Sequence, residues 1–146
     1  MNEVILVTGC AGFIGMHLSQ KLCMIGYSVI GVDNLNEYYD VRLKLNRLKQ
    51  LSNFKNFNFI KSDIVDYESL DKIFKDYKPS KVVNLAAQAG VRHSIDHPHD
   101  YIDSNIVGFL NVLECCRTLD VKHLIYASSS SVYGNNSNLP LRISDF

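Results

Sequence analysis

With 146 residues, 15 basic and 15 acidic side chains, the chain is of single-domain size (1–146) and carries no formal net charge. Such a balance offers no electrostatic hold on nucleic acid or an anionic membrane, and no apolar run approaches bilayer-spanning length. A chain of this size buries roughly 70% of the surface its unfolded form exposes, enough for a full core.

Met1 leads almost at once into strand-like sequence, without the basic lead and small-residue cleavage site of a secretory leader. Four cysteines (Cys10, Cys23, Cys115, Cys116) show neither zinc-ligand spacing nor a Cys-x-x-Cys pair. Free thiols in a reducing, cytoplasmic setting are the expectation.

In chain order, short β-rich runs alternate with amphipathic segments. The first run is "EVILV" (3–7). A helix starting near Phe13 follows, with Ile14, Leu18, Leu22 and Ile25 at helical spacing and Gly26 as its stop. "SVIGV" (28–32) is the second strand, and Val41, Leu45 and Leu48 mark the next helix. Its basic run "RLKLNRLKQ" (Arg42, Lys44, Arg47, Lys49) reads as a solvated helix side rather than an anion-binding patch. "NFNFI" (56–60) is the third strand, followed by Leu70, Ile73, Phe74 and Tyr77 behind an Asp66 N-cap. After the fourth strand, "KVVNL" (81–85), comes "RHSIDHPHD" with His93, His97 and His99. It reads as a hydrated loop entering a Pro-started helix, not as a metal site. Ile102, Ile106, Phe109, Leu110 and Leu113 form the longest stripe, opened by Pro98; "KHLIYA" (122–127) is the fifth strand, and 134–146 reads as loop.

Strand–helix alternation of this kind predicts βαβ units and a right-handed α/β fold. The expected architecture is a Rossmann-like, doubly wound parallel sheet in order 3-2-1-4-5 with helices on both faces. The stretch "VTGCAGFIG" (7–15) then acquires a purpose. Gly9 permits a tight turn out of the first strand, Gly12 lets backbone approach a ligand, and Gly15 lets the helix pack closely on the sheet. The helix N-terminus directs unpaired N–H groups and a partial positive charge at whatever lies there, and a pyrophosphate suits it. Asp33, 18 residues after Gly15 at the end of the second strand, is placed to accept hydrogen bonds from an adenosine ribose. The same carboxylate would repel a ribose 2′-phosphate, which favours NAD over NADP.

The Gly-x-x-Gly-x-x-Gly spacing, with "VDNLNEYYD", "SDI", "NLAAQAGVRHS", "HPHDYIDSNIVGFLNVLE" and "YASSSSVYG", resembles the extended short-chain dehydrogenase/reductase superfamily and its NAD-dependent nucleotide-sugar epimerases. "DNLNEYYDVRLK" and "AAQAGVRHS" are most similar to UDP-glucuronate 4-epimerases. The resemblance implies that Gly9, Gly12, Phe13 and Ile14 hold the pyrophosphate, Asp33 and Asn34 the adenosine ribose, and Asp63 and Ile64 the adenine. It places Leu85, Ala86, Ala87 and Gln88 along the cofactor. Asn105 matches a helix Asn near it, or is a satisfied polar residue of the helix.

In such enzymes a Tyr deprotonates the sugar 4-hydroxyl while NAD takes the C4 hydride, and a Ser/Thr hydroxyl bonds the reacting oxygen. Ser129 matches that Ser/Thr. Arg92 stands where it meets a substrate phosphate or carboxylate or forms a structural ion pair. Ser130 and Ser131 are expected to offer hydroxyls to the substrate carboxylate, beyond satisfying their own turn. A related 4,6-dehydratase would carry Asp-Glu beside its active-site Thr, and "SSSSVYG" has no acid there. The family's Tyr-x-x-x-Lys lies downstream of the serine strand, on the next helix, and this chain is expected to hold no such pair. The reading is therefore the cofactor-binding, N-terminal part of a UDP-sugar epimerase that is a homodimer when complete, with no epimerase activity expected of this chain alone. A non-catalytic NAD-binding module is the rival from another class.

Overall fold

The computed structural model describes residues 3–135 and 140–144; of the expected loop 134–146, residues 136–139 and 145–146 lie outside the described residues. Five strands form one parallel sheet: β1 (Val4–Thr8), β2 (Ser28–Asp33), β3 (Phe57–Lys61), β4 (Lys81–Asn84) and β5 (His123–Tyr126). Their order is β3-β2-β1-β4-β5, as expected, and each strand boundary falls within one residue of its expected place. The chain reverses its direction of travel across the sheet between β1 and β4. A crevice therefore opens there, beyond the carboxyl ends of the strands.

Each face of the sheet is covered by helices. Ile5, Val7 and Val29 turn to one side, where α1 (Phe13–Met24) contributes Cys23 and α2 (Val41–Leu51) contributes Leu48. Leu6, Ile30, Val32 and Val82 turn to the other. They meet Leu70, Ile73 and Phe74 of α3 (Tyr67–Tyr77) and Val112, Cys115 and Cys116 of α6 (Phe109–Thr118). Fully buried side chains such as Leu70 and Phe74 each contribute about 1.5–3 kcal/mol of hydrophobic stabilisation. The Asp66 carboxylate accepts from Ser69 N–H at 3.1 Å, so the expected N-cap of α3 is present. All four cysteines are free and buried.

Three helical faces differ from expectation. In α1 Leu18 and Leu22 pack against the core as expected, but the buried residues are Gly15, Met16, Ser19 and Cys23, while Ile14 is 66% and Ile25 57% exposed. The cause is proximity: a Cβ on Gly15 would lie 2.1 Å from the Gly9 carbonyl oxygen, so only the small-residue side can face the turn. In α2 Leu48 packs inward as expected, but the buried positions are Lys44 and Leu51, and Leu45 is exposed. The stripe of 102–113 also points outward, with Ile102, Ile106, Leu110 and Leu113 exposed and Gly108, Val112, Cys115 and Cys116 inward.

The "RHSIDHPHD" stretch is more structured than a loop. It forms two short helices, α4 (Val91–Asp96) and α5 (Pro98–Tyr101), and a π-helical segment (Ile102–Gly108) then leads into α6. Gly108 faces Ile64 so closely that a Cβ would sit 2.6 Å from its side chain.

Candidate functional site

The crevice is built first by the glycine turn. Gly9 adopts φ +68°, and a Cβ there would meet the Ala86 nitrogen at 2.8 Å, because the turn presses on the chain leaving β4. A Cβ on Gly12 would meet only the Gly9 carbonyl oxygen, at 3.0 Å; the rest of its space is open crevice. Gly12 is the N-cap of α1, and no side chain caps that helix. Its first-turn N–H groups are left for an anionic ligand. Phe13 and Ile14 open the helix with exposed side chains, and neither residue lines the crevice.

Asp33 ends β2, nearly buried. One carboxylate oxygen accepts from Ala11 N–H at 3.1 Å, inside the glycine turn, and the other from Leu35 N–H at 2.9 Å. An ionised carboxylate has about four acceptor positions, so acceptor capacity remains for a ligand hydroxyl, most freely on Oδ2, since Oδ1 also faces the Lys44 ammonium. Asn34 donates to Asp63 at 2.8 Å, and Asp63 also accepts from Val65 N–H at 3.0 Å. Asp63 and Ile64 form the opposite wall with Ser62.

Two cations of α2 belong to this region, and the solvated-helix reading missed them. The Lys44 side chain is only 6% exposed; its Nζ stands 3.5 Å from Asp33 Oδ1 and donates to Asn36 at 2.7 Å. Arg47 donates to the Ala11 carbonyl at 3.1 Å and to the Tyr39 hydroxyl at 2.9 Å, bracing the glycine turn from outside. Arg42 remains solvated as expected, paired with Asp40. The one signal in the sequence was position: Lys44 follows Val41 and precedes Leu48 and Leu51 on the same side of the helix.

The far wall is the segment Leu85–Ala89. Thr8, fully buried in β1, anchors its start by accepting from Leu85 and Ala86 N–H, both at 3.1 Å, while donating to Asn84 at 2.6 Å. Asn105 clamps its end. Its amide accepts from Gln88 N–H and donates to Gln88 C=O, both at 2.9 Å, so one side chain satisfies both backbone polar groups of that residue. Asn111, not singled out in the sequence, does the same for the opposite wall by donating to the carbonyls of Ile64 and Val65 at 2.9 and 3.0 Å. Asn105 thus positions the wall rather than lying free in the crevice.

A second hollow adjoins the first beyond the ends of β4 and β5. It is lined by Asn84, the Leu85–Ala89 segment, Asn105, Phe109, Tyr126 and Ser129. Ser129 accepts from Ser131 N–H at 3.2 Å and caps a 3-10 turn (Ser130–Tyr133). Ser130 and Ser131 are exposed on that turn and do not line the hollow; Arg92 is exposed on α4, off the walls of both. No cluster suited to a metal ion occurs among the described residues, and no helix there is long and apolar enough to cross a membrane. The expectation that the chain holds no Tyr-x-x-x-Lys pair is corrected by Tyr77, which has Lys81 four residues on. It closes α3, and Lys81 opens β4 and pairs with Glu3 at 2.9 Å, at the rim of the sheet opposite the crevice. That pair is structural.

Comparison with known proteins agrees with this geometry. Residues 6–145 match the family model described as GDP-mannose 4,6 dehydratase. Protein CapI of Staphylococcus aureus is 57% identical over 141 residues, which are 97% of this chain and 42% of that protein. A UDP-glucuronate 4-epimerase of Thermodesulfobacterium geofontis is 49% identical, over 90% of this chain and 41% of its own length. Among solved structures, a mutant UDP-glucuronic acid 4-epimerase of Bacillus cereus, in complex with a fluorinated UDP-glucuronic acid and NAD, superposes with a TM-score of 0.82. It is 37% identical, over 92% of this chain and 43% of that one. The chain spans about two fifths of the length of these relatives.

Proposed function

We propose, from the premise that this chain belongs to the GDP-mannose 4,6-dehydratase family, that it is the dinucleotide-holding part of an NAD-dependent UDP-sugar 4-epimerase acting on UDP-glucuronate. The observation that carries the reading is the meeting of two features in one crevice. A glycine turn without room for side chains stands beside an uncapped helix, and a carboxylate that keeps acceptor capacity faces the same space. This donor and acceptor set fits a dinucleotide: N–H groups for the diphosphate, Asp33 and Asn34 for a ribose, and the Asp63–Ile64 wall for the base. Relatives named UDP-glucuronate 4-epimerase, and a structure holding NAD, support the substrate and cofactor assignments.

When bound, NAD would supply a reversible hydride acceptor for the sugar C4. The chain's own contribution is placement. Thr8 and Asn105 fix the Leu85–Ala89 wall at both ends, so that it cannot drift relative to the glycine turn. Ser129 stands at the mouth of the second hollow, where its hydroxyl would bond the reacting oxygen, with Ser130, Ser131 and Arg92 nearer the solvent for the rest of the substrate. The general base and its lysine have no counterpart after Ser129 in these 146 residues, so this chain alone binds cofactor and does not turn over. Calorimetric titration with NAD tests the reading: saturable binding is expected, and absence of binding by the folded chain rejects it. Epimerisation of UDP-glucuronate by this chain alone would reject the placement of the base outside it.

A further inference from the structure

The four cations of the basic run in α2 are held differently. Arg42 pairs with Asp40, Lys44 stands against Asp33, and Lys49 is exposed. Arg47 is half-buried, and among the described residues no carboxylate pairs with it. Everything that holds its guanidinium is neutral. Nη1 donates to the Ala11 carbonyl at 3.1 Å and to the Tyr39 hydroxyl at 2.9 Å, and the ring centres of Phe13 and Tyr39 lie 6.0 and 5.7 Å from its carbon. The donors on Nε and Nη2 have no protein partner among the described residues. The residue that Arg47 grips lies inside the glycine turn. Ala11 is fully buried; its N–H is held by Asp33 and its carbonyl by Arg47. Gly12, next to it, is the N-cap of α1, and Phe13, whose ring flanks the guanidinium, is the first residue of that helix. An uncompensated cation therefore stands behind the place where the dinucleotide reading puts the diphosphate, although Arg47 is not itself part of the crevice wall.

We propose that Arg47 is a positioning residue for the diphosphate: it turns the Ala11 carbonyl away from the crevice and supplies, from behind the glycine turn, the full positive charge that the helix N-terminus lacks. The inference rests on the dinucleotide reading of the crevice and deepens it. A helix N-terminus carries about half an elementary charge, whereas a diphosphate is doubly anionic. Lys44 does not make up the difference, because Asp33 stands 3.5 Å from its ammonium and cancels its charge at a distance. Carbonyl oxygens are the groups of a turn that repel an anion. The Gly9 carbonyl accepts from Gly12 N–H and the Gly12 carbonyl from Met16 N–H, both at 3.0 Å; the Ala11 carbonyl, between them, has Arg47 as its donor. Placement between two aromatic rings leaves the charge less screened than that of a solvated lysine. The arginine thus strengthens the binding of ligands that carry the diphosphate and leaves the binding of adenosine alone unchanged.

The test is binding of NAD and ADP, read by calorimetry, and of adenosine, read by NMR titration, to the chain and to Arg47→Met and Arg47→Lys, each checked for native circular dichroism. Arg47→Met is expected to bind NAD and ADP about tenfold more weakly than the wild type, as for the loss of one charge-assisted interaction, and adenosine with less than about a twofold change. Arg47→Lys keeps the charge and returns both diphosphates to within about threefold of the wild type. Raising the ionic strength from about 0.05 to about 0.5 M narrows the gap between wild type and Arg47→Met for ADP, since salt screens a charge and not a packing contact. A turn merely deformed by the substitution would weaken adenosine as much as ADP, because the contact of Ala11 with Asp33 is disturbed with it, and would leave the gap indifferent to salt. Either result overturns the inference, as does an Arg47→Lys no better than Arg47→Met. If Arg47→Met does not fold, Arg47→Gln, neutral but still an N–H donor, is measured with the same expectations. A wild type that binds NAD and ADP, beside an Arg47→Met of equal affinity, rejects this inference alone; a wild type that binds neither rejects the dinucleotide reading and this inference with it.

Discussion

Gly15→Ala separates what the third glycine does for packing from what it costs the helix. In an ordinary helix interior the change is favourable by about 0.8–1.0 kcal/mol. Here the new Cβ would lie 2.1 Å from the Gly9 carbonyl oxygen, 2.8 Å from the Gly9 carbonyl carbon and 2.9 Å from Cys10 Cα. Close carbon–oxygen contacts are about 3.3 Å, so helix and turn must separate by roughly 1 Å. All three neighbours are backbone, and no side chain can swing aside to make room. Overpacking costs about 1–3 kcal/mol; the upper end applies, and after the propensity gain a net loss of about 2 kcal/mol remains. For a domain of this size that lowers Tm by roughly 4–8 °C. Gly26→Ala is the matched control. Its φ of +96° strains an alanine, but nothing lies within 4 Å of the added carbon and the crevice is remote. Urea melts with and without saturating NAD distinguish the two. Gly15→Ala is expected to lose stability and also the stabilisation NAD confers, whereas Gly26→Ala loses only the first. If Gly15→Ala melts at or above the wild-type midpoint with a full NAD-induced shift, the close-packing argument is wrong.

Thr8→Val keeps the shape of a buried side chain but strands the Asn84 side-chain oxygen and Ala86 N–H, at about 1–3 kcal/mol each when unsatisfied, while Leu85 N–H keeps the Thr8 carbonyl at 3.3 Å. A drop of about 2 kcal/mol or more in urea is expected, largely restored by Thr8→Ser; an unchanged midpoint refutes the anchoring role. Asn105→Ala frees both polar groups of Gln88, so NAD affinity should fall about tenfold while amide exchange accelerates at 85–90. Faster exchange without weaker binding would show that the wall does not serve the ligand. Burial pushes the thiols of Cys115 up to about 12 and Cys116 up to about 11, and raises Cys10 through burial and the nearby Asp33 charge. The unfolded chain therefore ionises these thiols first. Their contribution to stability is complete below about pH 8.5 and declines above it, by about 1.4 kcal/mol per pH unit for each thiol. Urea midpoints that stay flat from pH 8 to 10 would contradict this, as would rapid reaction of native thiols with Ellman's reagent at pH 8.

Much of the frame is legible in the sequence because its causes are local. Strand runs, the Asp66 cap and the glycine turn depend on a few consecutive residues, and all fall within a residue of expectation. The walls of the crevice were legible in part for the same reason: Gly9, Gly12, Asp33, Asp63 and the Leu85–Gln88 segment sit at strand ends, and strand ends converge at the switch between β1 and β4.

Helix faces were legible only in part: Leu18, Leu22 and Leu48 pack inward as their spacing predicts, and the departures share a physical origin. Apolar periodicity identifies the inward side of a helix only where the neighbour it meets is itself apolar. The first helix meets a polypeptide turn at contact distance, so Gly15 and Ser19 face inward and Ile14 is left outside. The second meets an aspartate, so Lys44 is drawn in and Leu45 turned out. The stretch 102–118 sends Asn105 and Asn111 to two loop segments whose carbonyl and N–H groups would otherwise lack partners. Gly15, Lys44, Asn105 and Asn111 each answer a polar or steric demand raised by the crevice, far away in sequence, while Cys23, Leu48 and Val112 of the same helices pack in the apolar core. Departure from the amphipathic pattern therefore marks the helices that serve the site. The helix that obeys the pattern, α3 with Leu70, Ile73 and Phe74 inward, contributes no residue to the crevice walls.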